Sequence, residues 1–112
     1  MLARANRVTR PGDFRAAVRR GRRIGTTNAV LHMLDREVAD PTRFGFIVTK
    51  AVGGAVTRNL MRRRLRAVGH DLLPSLRPGL DVVIRALPGC DRADWATLHS
   101  EIADGLRRGG VK

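Results

Sequence analysis

The chain has 112 residues, of which 43% are hydrophobic and 29% charged, with a formal net charge of +12. This length suits one domain over residues 1–112, and the hydrophobic content excludes wholesale disorder. The absence of a membrane-length apolar run or a secretory signal pattern, and the single cysteine at position 90, predict a cytoplasmic protein without an internal disulfide. We expect residues 1–8 to form a flexible basic start and residues 108–112 a short tail.

The positive charge is concentrated in two segments. Residues 4–23 carry eight arginines and one aspartate, and residues 50–66 carry five arginines and one lysine with no acidic residue. Because the rest of the chain is close to neutral, the charge does not resemble a surface that mixes both signs for solubility. The concentration favours a polyanionic partner.

The first half of the chain predicts one helix and two strands. Pro11 begins a short basic helix, which Gly21 ends. Residues 24–34 and 43–49 are rich in apolar and β-branched residues and read as strands. A turn signal lies between them, so we expect the two strands to pair as a hairpin.

The second half predicts two helices around a strand. A long helix runs from about Val56 to Leu73, and residues 80–87 are nearly all apolar, as is typical of a central strand. Asp91 is expected to cap the last helix, on which an apolar stripe comprises Trp95, Leu98, Ile102 and Leu106. We assign Trp95, Phe44 and Phe46 to the core.

The long helix divides into an apolar side and a basic side. At 100° per residue, the apolar side comprises Met61, Leu65, Val68 and Leu72, with Val56, Leu60 and Ala67 beside them. Arg58, Arg62 and Arg66 form a basic column on the other side, flanked by Asn59 and Arg63, whereas Arg64 fits neither side. Like charges four residues apart cost about 0.2–0.5 kcal/mol per pair, so phosphates are the expected source of negative charge. Asn59 either contacts a base or sugar, or only caps a backbone group.

Residues 48–68, VTKAVGGAVTRNLMRRRLRAV, resemble the signature of the bacterial ribonuclease P protein subunit. The specific part is Ala-Val-x-Arg-Asn with the basic residues that follow it. Supporting matches are NRV at 6–8, DF at 13–14, RFGFIVTK at 43–50 and LDVVIRA at 80–86, so the resemblance spans about residues 6–107.

The resemblance implies a fold. It is a single-domain α+β sandwich in which helices pack on a small central sheet, with a left-handed β-α-β crossover between residues 43 and 87, as in the second domain of a small-subunit ribosomal protein. Such crossovers are almost always right-handed. We follow the family expectation because the motif is more specific than the general rule.

The resemblance also implies a function. The family member is the accessory subunit of an endoribonuclease, a hydrolase in which the catalytic RNA, with its bound magnesium, removes the 5′ leader from precursor tRNA. The protein would bind that RNA through Arg7, Lys50, Arg58, Asn59, Arg62, Arg63, Arg64 and Arg66. It would bind the single-stranded leader through Phe14, Arg15, Val18 and His32. The resemblance implies no membrane partner and no small-molecule substrate.

The sequence agrees that the protein itself is not the catalyst. Its carboxylates are scattered and its three histidines lack ligand spacing, so we expect neither catalytic residues nor a metal site in the protein. Phe14 either stacks on bases or belongs to the core. Leu60 stands where the family usually has a basic residue, so one RNA contact is either lost or taken by Arg64.

Two other functions fit the charge and size. A ribosomal-protein-like RNA-binding protein would share both features without a role in RNA processing. A DNA-binding regulator would use residues 56–72 as its recognition helix, but a strand, rather than a helix and a tight turn, precedes that segment.

Overall fold

The computed structural model describes residues 2–111, so Met1 and Lys112, which belong to the predicted start and tail, lie outside the described residues. Three helices and four strands follow one another in this range, together with short 3-10 turns at 4–6, 73–75 and 90–92. In chain order they are α1 (Pro11–Arg20), β1 (Arg22–Gly25), β2 (Ala29–Asp35), β3 (Arg43–Ile47), α2 (Ala55–Leu72), β4 (Leu80–Ala86) and α3 (Trp95–Arg108).

The four strands form one mixed sheet in the order β1-β2-β4-β3. β2 pairs antiparallel with β1 and with β4, and β3 pairs parallel to β4, with Phe44 opposite Val82. The predicted hairpin between residues 24–34 and 43–49 is therefore wrong. The first segment turns within itself, where Thr26 Oγ1 accepts a hydrogen bond from Ala29 N at 3.1 Å. The apolar β4 then takes the central position because both its faces are covered.

The sheet carries helices on both faces. Alternate residues such as Leu31, Met33 and Ile84 face α2 and α3 and form the main core. The residues between them, including His32 and Val83, face α1, which packs against β2 and β4. This alternation confirms the α+β sandwich and leaves one sheet face to the small helix α1.

The crossover from β3 through α2 to β4 is left-handed. The Phe44 side chain faces α2, since Gly69 of α2 lies against its ring. The Phe44 carbonyl accepts a hydrogen bond from Val8 N at 2.8 Å on the edge away from β4. Viewed from α2 with β3 running upward, the Phe44 side chain points at the observer. In a strand of L-residues, the N–H and C=O of such a residue point to the observer's right. Val8 is therefore on the right of β3 and β4 is on its left. With α2 in front of the sheet, this arrangement is a left-handed crossover, as the family resemblance predicts.

The buried side of α2 is narrower than predicted. Met61, Leu65, Val68 and Leu72 are buried, which confirms the central apolar row. Val56, however, is 85% exposed, Ala67 is exposed and Leu60 is half-buried. Gly69 completes the buried row instead, because a Cβ there would lie 3.3 Å from the rings of both Phe44 and Phe46.

The last helix begins with a different cap. Asp94, not Asp91, is the N-cap, and its Oδ1 accepts a hydrogen bond from Thr97 N at 2.8 Å. Leu98, Ile102 and Leu106 are buried as predicted. Trp95 is 41% exposed and its ring lies 4.8 Å from that of His99, so its assignment to the core was wrong. The first turn of a helix can extend past the surface that covers its later turns.

The N-terminal segment lies along the outer edge of β3. Leu2 and Val8 are buried, and Asn6 Nδ2 donates to Thr42 O at 2.9 Å. The bond from Val8 N to Phe44 O continues the pairing. Residues 2–8 thus have defined contacts in the fold, and the flexibility of the N-terminal segment in the absence of RNA stays a prediction. At the other end, Val111 is buried against the main core.

Candidate RNA interface

The basic column of α2 begins close to the N-terminus of the helix. Gly54 is the N-cap and provides no side-chain cap, and the first turn has no acidic residue. Arg62 Nη1 donates to Asn59 Oδ1 at 2.9 Å, so Asn59 orients an arginine on the exposed surface. Arg58, Arg62 and Arg66 are half-buried, and the exposed Arg63 lies beside them. Lys50, in the turn after β3, is also exposed.

Arg64 has a structural role within the fold. Its Nη1 donates to the carbonyls of Asp91 and Ala93, each at 3.1 Å, and so ties α2 to the segment before α3. This contact accounts for the one arginine that fits neither side of the helix. RNA contact by Arg64 stays a prediction, and the contact would compete with these two hydrogen bonds.

A small cavity connects the basic column to α1 around the edge of β3. We call this 150 Å³ space the junction cavity. Arg62 and Arg66 line it from α2, Phe14 lines it from α1, and Arg7 lines it from the N-terminal segment. The fold thus brings together four predicted site residues from three separate parts of the sequence.

A second concave surface, the α1 cleft, lies between α1 and the sheet. It encloses 300 Å³, and its lining residues are the apolar Phe14, Val18 and Ile47 and the basic Arg15, Arg19 and Arg85. The Phe14 ring rests on Gly45 of β3, where a Cβ would lie 2.6 Å from Phe14 Cε1. Phe14 is half-buried and lines both the cleft and the junction cavity, so its two predicted roles, packing and base stacking, are compatible.

His32 lies on the α1 side of β2 but does not line the cleft. It is 4% exposed, and neither ring nitrogen has a hydrogen-bond partner among residues 2–111. Burial, together with repulsion from Arg85 and Arg23, lowers the pKa of His32 below its usual value. Leader contact by His32 stays a prediction, and the contact would require the covering residues to move.

A buried ion-pair network links α1 and β3 to β4. The Asp81 side chain is 2% exposed and accepts two hydrogen bonds from Arg43, at 2.8 and 2.7 Å. Arg36 Nε lies 3.0 Å from Asp81 Oδ1, and Arg43 Nη2 lies 3.5 Å from Asp13 Oδ2 of α1. The hydrogen bonds and charge of Asp81, with the nearby charges of Asp13 and Asp40, raise the pKa of Arg43. The network holds the start of α1 over the start of β3.

Sequence comparisons identify the family of this chain. A family model described as Ribonuclease P matches residues 2–109. The chain is 56% identical over 108 residues to the ribonuclease P protein component of Clavibacter michiganensis, with 96% of each chain covered. It is 48% identical over 116 residues to that of Streptomyces bikiniensis, covering 96% of this chain and 94% of the relative. The chain belongs to the ribonuclease P protein family.

The fold of this ribonuclease P protein agrees with a solved relative. The RNase P protein of Staphylococcus aureus superposes with a TM-score of 0.85 at 20% identity, and the match covers 96% of this chain and 98% of that one. At this identity the likeness shows the fold alone. Family membership supplies the coarse function, which is a role in tRNA processing as the accessory protein of an endoribonuclease.

Three lining residues of the α1 cleft, Arg19, Ile47 and Arg85, are not among the predicted leader-binding residues. Ile47 lies near the end of β3, and Arg85 is the one exposed residue of β4. Arg85 is also the only cation in β4, whose other residues are apolar except Asp81, and it shares a face with Val83 and Asp81. The charge of Arg85 is the sequence signal that this part of the sheet is not covered by α1 and is exposed to solvent.

Within residues 2–111, no three His, Cys, Asp or Glu side chains come together as a metal site. No helix in the same range is long and apolar enough to span a bilayer.

The burial of His32 predicts a pH-dependent stability. Because its pKa is lowered in the folded state, the unfolded chain binds a proton first as the pH falls below about 6.5. The stabilisation of the folded state that comes from neutral His32 is therefore complete above that pH, and it declines as the pH falls toward the folded-state pKa. We expect the free energy of unfolding to fall between about pH 7.5 and 5.5 more steeply in the wild type than in His32→Gln. Parallel urea-denaturation curves for the two proteins would contradict the assignment.

Proposed function

We propose that this chain is the RNA-binding subunit of ribonuclease P and assists the catalytic RNA in removing the 5′ leader from precursor tRNA. It binds the catalytic RNA through the basic column and its neighbours, and it binds the single-stranded leader in the α1 cleft. The RNA carries out the cleavage, and the protein contributes binding and position. The proposed place of action is the cytoplasm.

The observation that carries the proposal is the junction cavity. Arg62 and Arg66 reach it from one sheet face, and Phe14 reaches it from the other. The surface proposed for the catalytic RNA and the surface proposed for the leader therefore meet at the β3 edge. Such a position suits a protein that holds the leader beside the RNA that cleaves it.

The chemistry of the α1 cleft suits a single strand of RNA. Single-strand sites combine aromatic faces, on which bases stack, with cations that follow the phosphates. In the α1 cleft, Phe14 supplies the ring, Val18 and Ile47 supply apolar walls, and Arg19 and Arg85 supply cations. The chain contains no tyrosine, so stacking depends on Phe14 and charge carries more of the binding.

Magnesium belongs to the RNA in this proposal. The described carboxylates do not gather into a site for a divalent cation, and several of them, such as Asp81 and Asp104, are already paired with arginines. When bound to the RNA, magnesium would supply the charge stabilisation for cleavage. The protein side chains would neutralise phosphates and so reduce repulsion between the RNA and its substrate.

A cleavage assay tests the proposed function. Precursor tRNA is incubated with a bacterial ribonuclease P RNA at low magnesium, with and without the protein. We expect the protein to stimulate release of the 5′ leader, because its cations partly replace the charge neutralisation that magnesium provides at higher concentration. An equal cleavage rate in both reactions would reject the proposal.

Phe14→Leu separates stacking from packing. Leucine keeps an apolar side chain over Gly45 but has no aromatic face, so the fold should be retained while stacking is lost. We expect affinity for leader-carrying tRNA to fall by about 1–3 kcal/mol, the usual contribution of one stacked base, with no change for leaderless tRNA. Equal losses for both tRNAs, or a large loss of stability, would assign Phe14 to packing alone.

A further inference from the structure

We infer that a second concave surface, the N-terminal pocket, binds phosphodiester groups of the leader beyond the α1 cleft. The inference rests on the proposed function and extends its leader site. The pocket encloses 470 Å³ beside the start of α1; it is lined by Arg4, Ala5, Arg7, Thr9, Arg10, Asp13 and Arg43. Four of these seven residues are arginines, and one is acidic.

The positive charge of this pocket is not neutralised within the fold. Asp13 lies 3.5 Å from Arg43, but Arg43 is already held by two hydrogen bonds to Asp81. The side chains of Arg4, Arg7 and Arg10 make no ion pair or hydrogen bond with residues 2–111. Three like charges within seven residues disfavour one another, and an anion in the pocket would relieve that repulsion.

The backbone that carries Arg4 and Arg7 is held in place by contacts within the fold. Residues 4–6 form a 3-10 turn, Asn6 donates to Thr42 O, and Val8 N donates to Phe44 O. Leu2 is buried in the main core before the first of these arginines. A ligand would therefore not have to order the backbone that carries the cations, which reduces the entropic cost of binding.

The position of the pocket indicates which RNA occupies it. Phe14 is shared by the α1 cleft and the junction cavity, and Arg7 is shared by the junction cavity and the N-terminal pocket. The cleft contacts β3 at Ile47 and the pocket contacts it at Arg43, about 13 Å apart at 3.3 Å per residue. A strand that leaves the cleft over Phe14 thus passes the junction cavity and then meets the pocket at Arg7.

The decisive variant is Arg4→Ala/Arg10→Ala in the protein assembled with ribonuclease P RNA. Both side chains are exposed, so the fold should be unaffected. The matched control, Arg92→Ala/Arg107→Ala, removes two exposed charges on the α3 side. Affinity is measured for leaderless tRNA and for precursor tRNA with a leader of about eight nucleotides, within the usual size of single-strand sites.

We expect the pocket variant to bind the leader-carrying tRNA about tenfold more weakly than the wild type and the leaderless tRNA equally well. Its salt dependence should be shallower by about 1.4, which corresponds to two phosphates at about 0.7 each. The control should match the wild type for both tRNAs.

The possible failures are distinguishable. If the wild-type complex gains affinity from the leader and the pocket variant keeps that gain, the pocket assignment is wrong while the proposed function stands. If the variant loses equal affinity for both tRNAs, the pocket does not bind the leader. If the wild type gains nothing from the leader, the proposed leader site is wrong and this inference is rejected with it.

Discussion

Asp81→Asn is expected to lower the free energy of unfolding by about 3 kcal/mol. The substitution keeps the shape of the side chain but removes the charge that Arg43 and Arg36 share. Those side chains are 24% and 18% exposed, so each would keep a partly desolvated charge without its carboxylate. Removing one partner of a buried pair costs about 3–5 kcal/mol, and partial exposure places this case near the lower limit. Urea denaturation measures the loss.

The control for this experiment is Asp35→Asn. Asp35 also pairs with an arginine, Arg77, at 3.0 Å, but both side chains are about half exposed. Exposed pairs contribute about 0–1 kcal/mol, so this variant should stay close to the wild type. If the two substitutions had equal small effects, the network around Asp81 would not anchor α1 and β3.

Arg62→Ala/Arg66→Ala is expected to have the largest effect on binding to the catalytic RNA. These residues belong to the basic column and line the junction cavity, where the two proposed RNA surfaces meet. Each lost phosphate contact should weaken binding about tenfold and reduce the salt dependence by roughly one unit. We therefore expect a loss of about a hundredfold at moderate salt, measured as affinity for ribonuclease P RNA at several salt concentrations.

The Arg92→Ala/Arg107→Ala protein again provides the comparison. It loses the same formal charge as the α2 double variant, so any effect of net charge alone would appear in both. An unchanged salt dependence in Arg62→Ala/Arg66→Ala would place the basic column outside the interface. A similar loss in both proteins would show that binding follows total charge and not position.

Local chemistry made the helices and the central strand predictable from sequence. Pro11 and Gly21 bound α1, and the apolar row of Met61, Leu65 and Val68 defined the buried side of α2. The left-handed crossover could not come from composition or periodicity, because the local rules favour the opposite hand. It was predicted through the motif that resembles the family, and the structure confirms it.

Strand pairing and the shape of the site were less predictable. β2 and β3 are close in sequence, yet β4 lies between them because its apolar faces require cover on both sides. Burial of His32 depends on where α1 crosses the sheet, and the role of Arg64 depends on carbonyls 27 and 29 residues away. Such long-range contacts leave no periodic signal in the sequence.

The hydrogen bond between Val8 and Phe44 also bears on how the edges of the sheet are protected from pairing with another chain. An edge strand presents unpaired peptide groups that can template the strands of another chain. On β3, the N-terminal segment occupies part of that edge, and on the opposite edge β1 carries the exposed Arg22 and Arg23. One edge is partly covered and the other is charged, so both edges of the sheet oppose the addition of strands from another chain.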